Sequence, residues 1–336
     1  MPLVSLQINL AASDFRLSEH LLERQISLFS QVVDEVVFSL DVKMGSGRFA
    51  EQFAENYKAL NSLLDSLLAR FPKVRVSPVD YSEKVQQEVQ KYFKQSVAIP
   101  LRDFRGGPCY VYFHGMWSCR NDFVLHLDAD MFFGGRVGDW LQRALKELAS
   151  PSVFSVAPMP GPPTTTGNLR QPILDHACIE ENITEGRYVY DGFSTRIFLM
   201  NRRKICGIQL SSKPTLGNFL RALSKGLLPQ ELPEVVITRH MRSHGFVRVD
   251  LNSSEQLYSL HPPYKSLKFY ENVTRILEAI DTDSIPEGQR GFYDMNDALY
   301  DFTEERRTLF ESAWYRRIAR NVAERFFGSS PRLPNS

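Results

Sequence analysis

The sequence predicts an α/β fold in which a mostly parallel sheet carries helices on both faces and ends in a helical C-terminal extension. Three observations carry this expectation. Short apolar runs alternate with longer helical patterns through the first 95 residues. The apolar run Phe123-Val124-Leu125-His126-Leu127 is followed at once by Asp128-Ala129-Asp130. Over 303–327, Phe310, Trp314, Ile318, Val322 and Phe326 recur at four-residue steps, as on a helix stripe.

In chain order, residues 2–9 read as a strand. Residues 18–31 read as a helix, with Leu21, Leu22, Ile26, Leu28 and Phe29 apolar and Ser18 as N-cap. Residues 34–40 form a second strand that closes on Asp41, and Gly45-Ser46-Gly47 a loop. A long helix follows, with Phe49, Phe53, Tyr57, Leu60, Leu64, Leu67 and Leu68 on one stripe. Residues 73–79 are a third strand and 82–95 a helix. Pro100, Gly106-Gly107-Pro108 and Gly115 break the aromatic-rich stretch 98–121, which reads as a packed irregular segment. Beyond the aspartates come a helix at 137–149, a strand at 153–157 and a Pro/Gly/Thr-rich loop at 158–167. Residues 188–200 are strand-like with a turn at Asp191-Gly192, 205–224 are mixed, 233–244 a helix, and 246–251 a last strand. Three parts result: 1–150, 151–265 and the extension 266–336.

The chain has 336 residues, 43% hydrophobic and 24% charged, and a formal net charge of +1. It can bury an ordinary core and offers no overall polyanion-binding charge, so nucleic acid is not an expected partner. Cys109, Cys119, Cys178 and Cys206 are scattered without a CxxC pair, which fits free thiols better than a disulfide framework. No signal peptide or membrane span is expected, and the expected compartment is cytoplasmic. Arginines along 303–327 make peripheral contact with an anionic membrane face one reading of that helix. Interspersed glutamates favour packing of the helix on its own domain or on a partner subunit.

Two acids one residue apart at a strand end serve one ion only if the chain turns between them. Ala129 permits that turn, and oxygen ligands of this kind suit Mg²⁺ or Mn²⁺ with substrate phosphates completing the shell. Ligand sites in open α/β sheets lie at the carboxyl ends of strands, where this pair falls. The competing reading is a pair of loop-start residues.

The segment DFVLHLDADMFF, preceded by CRN, resembles the metal-binding Asp-x-Asp segment of GT-A glycosyltransferases, particularly family 2. The opening VSLQINL and VVFSLD, the stretch GRYVYDGFSTRIFLMNRRKI, the helix in LPEVVITRHMRSHGFVRVDL and the late YSLHPP resemble further parts of that family, in order, over roughly residues 1–265. The resemblance implies a nucleotide-diphospho-sugar donor such as a UDP- or GDP-sugar. It also implies a divalent ion on Asp128 and Asp130 and inversion by single displacement. The acceptor is then a glycan, a lipid-linked or another hydroxyl. Asp41 matches an acid that recognises the nucleotide base, and Glu234 the first acid of the Glu-Asp pair that supplies the general base. Val235 replaces the second acid, so Glu231 is a rival. His261 matches a late metal-site histidine. Arg120 would suit bidentate contact with donor phosphates. Glu234 as a mere first-turn helix acid and Asp41 as a turn residue are the competing readings. A sugar-phosphate nucleotidyltransferase is an alternative, but NLAASDF after the first strand lacks its glycines and lysine. A haloacid-type phosphatase would need Thr or Val where Phe132 stands. A non-catalytic carbohydrate- or nucleotide-binding module is the third alternative.

Overall fold

The structure, a computed structural model, describes residues 2–44, 52–170, 178–223 and 226–312. Strands β1 (Val4–Leu10), β2 (Glu35–Leu40), β3 (Val74–Pro78) and β4 (Phe123–Asp128) lie in the order 3-2-1-4, all parallel. The antiparallel β9 (Ile197–Asn201) joins β4 to β6 (Val153–Pro160). Next come β10 (Val247–Leu251), parallel to β6, then β8 (Arg187–Tyr190) and β7 (Cys178–Asn182) as an edge hairpin. Of the nine strands on this path, only β8 and β9 run against the other seven. The sheet is therefore mostly parallel, as the strand–helix alternation requires. A short pair, β5 (Phe132–Gly134) and β11 (Tyr258–Leu260), folds over the end of β6.

Strand periodicity sorts the side chains into two cores. Leu6, Ile8, Leu125 and Leu127 face α1 (Phe15–Phe29), α2 (Phe53–Arg70) and α5 (Trp140–Leu148) through Leu22, Ile26, Leu60, Leu64 and Trp140. On the other face Val37, Val124 and Phe198 meet α3 (Glu83–Tyr92), α4 (Tyr110–Ser118) and α7 (Pro233–His244). A third cluster joins α8 (Leu267–Glu271) and α9 (Val273–Asp281) to α1, β5 and β11, through Phe269, Val273, Ile276, Leu17, Leu21, Phe132 and Leu260. The segment after residue 266 is thus packed into the molecule as far as it is described.

Several expectations shift. The first helix begins at Phe15, and Ser18 is buried within it. A 3-10 turn, Ala12–Asp14, leads in, and the Asp14 carboxylate accepts the Ala11 N–H at 2.9 Å. The aromatic stretch contains α4, which sequence periodicity missed. Six of its nine residues are buried, so it shows no polar face to read. Gly115 lets this helix lie against the sheet: a Cβ there would stand 2.0 Å from Gln7 Nε2 and 2.7 Å from Ser39 Oγ. The strand at 153–157 runs on to Pro160, β7 was not foreseen, and β10 is followed by β11. α7 spans the expected 233–244, with Pro233 at its first turn and Gly245 (φ 68°) as its left-handed cap. The helix expected at 303–327 begins as α10 (Thr303–Ser312). The rest of it, Gly45-Ser46-Gly47 and Phe49 lie outside the described residues.

On β10, fully buried Asp250 is held bidentately by Arg248, at 2.6 and 3.0 Å. Burial pushes the Asp250 carboxyl up to about 6, against the pull of Arg248. Arg248→Met strands that charge, so urea unfolding at pH 7.5 is expected to show a loss of about 3 kcal/mol or more. A loss below about 1 kcal/mol would mean the pair is not structural.

Candidate active site

Asp128 is the last residue of β4, and the chain turns directly after it. The Met131 N–H donates to the Asp128 carbonyl at 3.2 Å, with Ala129 buried inside the turn. From α1, Gln25 Nε2 donates to the carbonyls of Ala129 (3.3 Å) and Met131 (2.8 Å), fixing the turn from behind.

The two aspartates have different surroundings. The Asp128 carboxylate, 23% exposed, accepts from the Tyr112 hydroxyl at 3.1 Å and lies 3.3 Å from His126 Nε2. His126, two residues earlier on the same strand face, is wholly buried, with Nδ1 2.9 Å from Gln7 Oε1 on β1. Asp130 is 14% exposed. Its Oδ2 carries the Lys265 ammonium, with His261 Nε2 at 3.9 Å. Its Oδ1 is buried without a hydrogen-bond partner. Burial pushes the Asp130 carboxyl up, but Lys265, His261 and Arg196 together hold it well below the usual carboxylate range.

Other groups complete the cluster. His261 Nδ1 lies 2.9 Å from Asp294 Oδ1, which orients the imidazole toward Asp130. Burial lowers the His261 pKa, partly offset by that contact. Asp14 is raised to about 6, first by burial and also by Asp130 and Asp128, against Lys265. Tyr112 is raised by burial, then by Asp128, and also feels Asp130. Both carboxylates therefore act on the same two neighbours.

Glu234 is the second residue of α7, and its Oε2 accepts from the backbone N–H and hydroxyl of Thr195, each at 3.3 Å. Thr195 also lies near Tyr112, the residue that donates to Asp128. Burial raises the Glu234 carboxyl, against Thr195 and Arg196.

The remaining candidates stand apart. Asp41 is nearly fully buried and already accepts from Tyr81 (2.7 Å) and the Lys43 N–H (3.0 Å), beside Arg102 at 2.9 Å. A free carboxylate for a nucleotide base is not what it presents. Glu231 pairs with Arg239 at 3.1 Å and accepts the Leu232 N–H at 3.1 Å, which leaves a neutralised acid rather than a poised base. Arg120 precedes β4, whereas the aspartates follow it, so it lies at the opposite end of the sheet. There it is 77% exposed beside Glu35.

Among the described residues, no three His, Cys, Asp or Glu side chains stand close enough to hold an ion between them. The expected set of Asp128, Asp130 and His261 is therefore not a preformed centre, because Lys265 occupies one Asp130 oxygen and Asp128 faces Tyr112 and His126. The donor chemistry still fits a hard divalent ion that brings phosphate oxygens with it: two carboxylates at one turn, one with a buried, unused oxygen. Tyr112, Thr195, Arg196, Lys265, Asp14 and Asp294 were missed in the sequence. Only His126 gave a local sign, as a polar residue in register with Asp128 inside an apolar strand.

No described helix is long and apolar enough to cross a membrane. No protein-family model matches the chain, and no curated protein matches it. Among solved structures, a mycobacterial protein overlaps it at TM-score 0.36 and 11% identity, over 83% of this chain and 73% of that one. The mannosyltransferase PcManGT from Pyrobaculum calidifontis, in complex with GDP-Man and Mn²⁺, overlaps at TM-score 0.34 and 12% identity, over 75% of this chain and 55% of that one. TarS 1–349 of S. aureus overlaps at 0.35 and 12%, over 66% and 55%. The chain thus spans little more than half of two of these structures, and overlaps this low establish no shared activity.

The Asp294 contact supports the charged form of His261, so Asp294→Ala is expected to lower the imidazole pKa further. Ring-proton NMR against pH reads this directly. An unchanged titration would remove Asp294 as the orienting partner.

Proposed function

We propose that the chain is a GT-A-like, family 2-like glycosyltransferase that moves a sugar from a nucleotide-diphospho-sugar to an acceptor hydroxyl. One observation carries the reading. Asp128 and Asp130 are delivered around a tight turn at the carboxyl end of a central parallel strand, and one carboxylate oxygen is buried without a partner.

In this reading, Glu234 takes the acceptor proton. Its raised proton affinity suits that task, and Thr195 fixes its direction. The acceptor oxygen bonds to the anomeric carbon as the bond from that carbon to the β-phosphate oxygen breaks, with inversion. A divalent ion, Mn²⁺ or Mg²⁺, when held by Asp128 and Asp130, supplies positive charge to the departing nucleoside diphosphate. His261, held by Asp294, keeps Asp130 oriented. Asp41 serves the nucleotide end indirectly, by positioning Arg102 and Tyr81. Residues 1–150 would form the donor half and 151–265 the acceptor half.

Thermal shift with UDP and GDP, with and without Mn²⁺, tests the donor half. Stabilisation by one diphosphate only with metal, abolished in Asp130→Ala, is expected; no response to either would remove the reading. Glu234→Gln is expected to keep nucleotide binding and to lose about 10²–10⁴-fold in turnover. Because the base must be ionised and its pKa is raised, wild-type turnover is expected to fall with decreasing pH at a point above the ordinary glutamate value of 4.5. Full turnover in Glu234→Gln would place the base elsewhere.

A further inference from the structure

We infer that Lys265 is an internal cation that neutralises Asp130 until a divalent ion displaces it, and that the released ammonium then binds the donor diphosphate. The inference rests on the glycosyltransferase reading and names a residue that reading does not use.

Asp130 offers its two oxygens unequally. Lys265 takes Oδ2, while Oδ1 is buried with no partner. A divalent ion held by the aspartates would need Asp130, and an ammonium in contact with the same carboxylate would repel it. One cation must leave. The nearby cations differ in freedom to do so. Arg196 is tethered by its main-chain carbonyl, which accepts the Asp128 N–H at 2.8 Å, and its guanidinium lies 3.6 Å from Asp294 and over the Tyr293 ring, although Nη1 has no hydrogen-bond partner. Lys265 sits on the link between β11 and α8, after Pro262-Pro263, and its side chain is 32% exposed. Its flexible four-carbon stem can carry a compact charge a few ångströms without moving the backbone.

Displacement also has a destination. A diphosphate held with that ion would place negative oxygens close to Asp130, within the reach of the Lys265 stem. Phosphate accepts an ammonium as readily as a carboxylate does. Metal arrival would thus convert a counter-ion of Asp130 into a ligand of the donor. Asp14 adds negative charge near Lys265 and favours its charged form.

The test compares wild type, Lys265→Met and Lys265→Arg, with folding checked by circular dichroism. Free Mn²⁺ is read by electron paramagnetic resonance without nucleotide, and UDP and GDP binding by calorimetry at saturating Mn²⁺. Lys265→Met is expected to bind Mn²⁺ at least about 10-fold more tightly, roughly 1.4 kcal/mol, yet to bind the diphosphate at least about 10-fold more weakly. Lys265→Arg, which keeps the charge, is expected to stay near wild type in Mn²⁺ affinity. Opposite signs are the signature, because a merely structural lysine would weaken both or neither. Unchanged or weaker Mn²⁺ binding in Lys265→Met overturns the inference. So does the absence of Mn²⁺ binding in wild type and Lys265→Met alike, even where a diphosphate binds. Tighter Mn²⁺ binding with no affinity for either diphosphate in any variant would instead count against the glycosyltransferase reading and the diphosphate role, and leave the displacement standing.

Discussion

A carboxylate withdrawn from water as far as Asp130 must have positive charge beside it, and much of the molecule's organisation follows from that need. Its cations come from distant parts of the chain. Lys265 and His261 lie on the segment from β11 to α8, and Arg196 on the loop before β9. Bringing them to the end of β4 requires the C-terminal elements to fold back over the parallel half of the sheet. The third hydrophobic cluster does this, packing α8 and α9 against α1 and β5. Apolar burial there fixes the position of the segment that delivers Lys265 and His261, and the ion pair fixes their ends.

Sheet periodicity supplies the second constraint. β1 sends Leu6 and Ile8 into one core and Ser5, Gln7 and Asn9 to the other face, all buried. Most of those polar groups pair in a ladder across the sheet: Ser5 donates to Glu35 at 2.6 Å, Gln7 meets His126, and Gln7 Nε2 donates to Asn9 Oδ1 at 2.7 Å, while Asn9 Nδ2 has no partner. The ladder ends at Asp128. Its position is set by hydrogen bonds from Tyr112 and by His126 beside it, while Glu234 is held separately by Thr195.

What could be read from the sequence was what repeats locally. The four parallel strands show as apolar runs, and α7 is framed by Pro233 and Gly245, which start and stop a helix for stated steric reasons. The strand-end pair Asp128 and Asp130 was legible because position after a buried strand carries meaning. α4 was not, because near-complete burial erases its period and Gly115 reads as a breaker until Gln7 is seen against it. Arg120 illustrates a different failure. A residue before a strand lies at the opposite end of the sheet from one after it, so its charge misled where its polarity along the strand should have decided. Lys265 and Asp294 gave no local sign at all, because their importance exists only once residues far apart in sequence meet Asp130 and His261.

The claim on which the functional account depends is that Asp128 and Asp130 share one cation with a diphosphate. Crystals soaked with Mn²⁺ and UDP or GDP, measured at the manganese absorption edge, test it most directly. An anomalous peak between the two carboxylates, with diphosphate oxygens completing its shell, is the expected result. A nucleotide bound elsewhere, or a manganese peak that touches neither aspartate, would contradict the account.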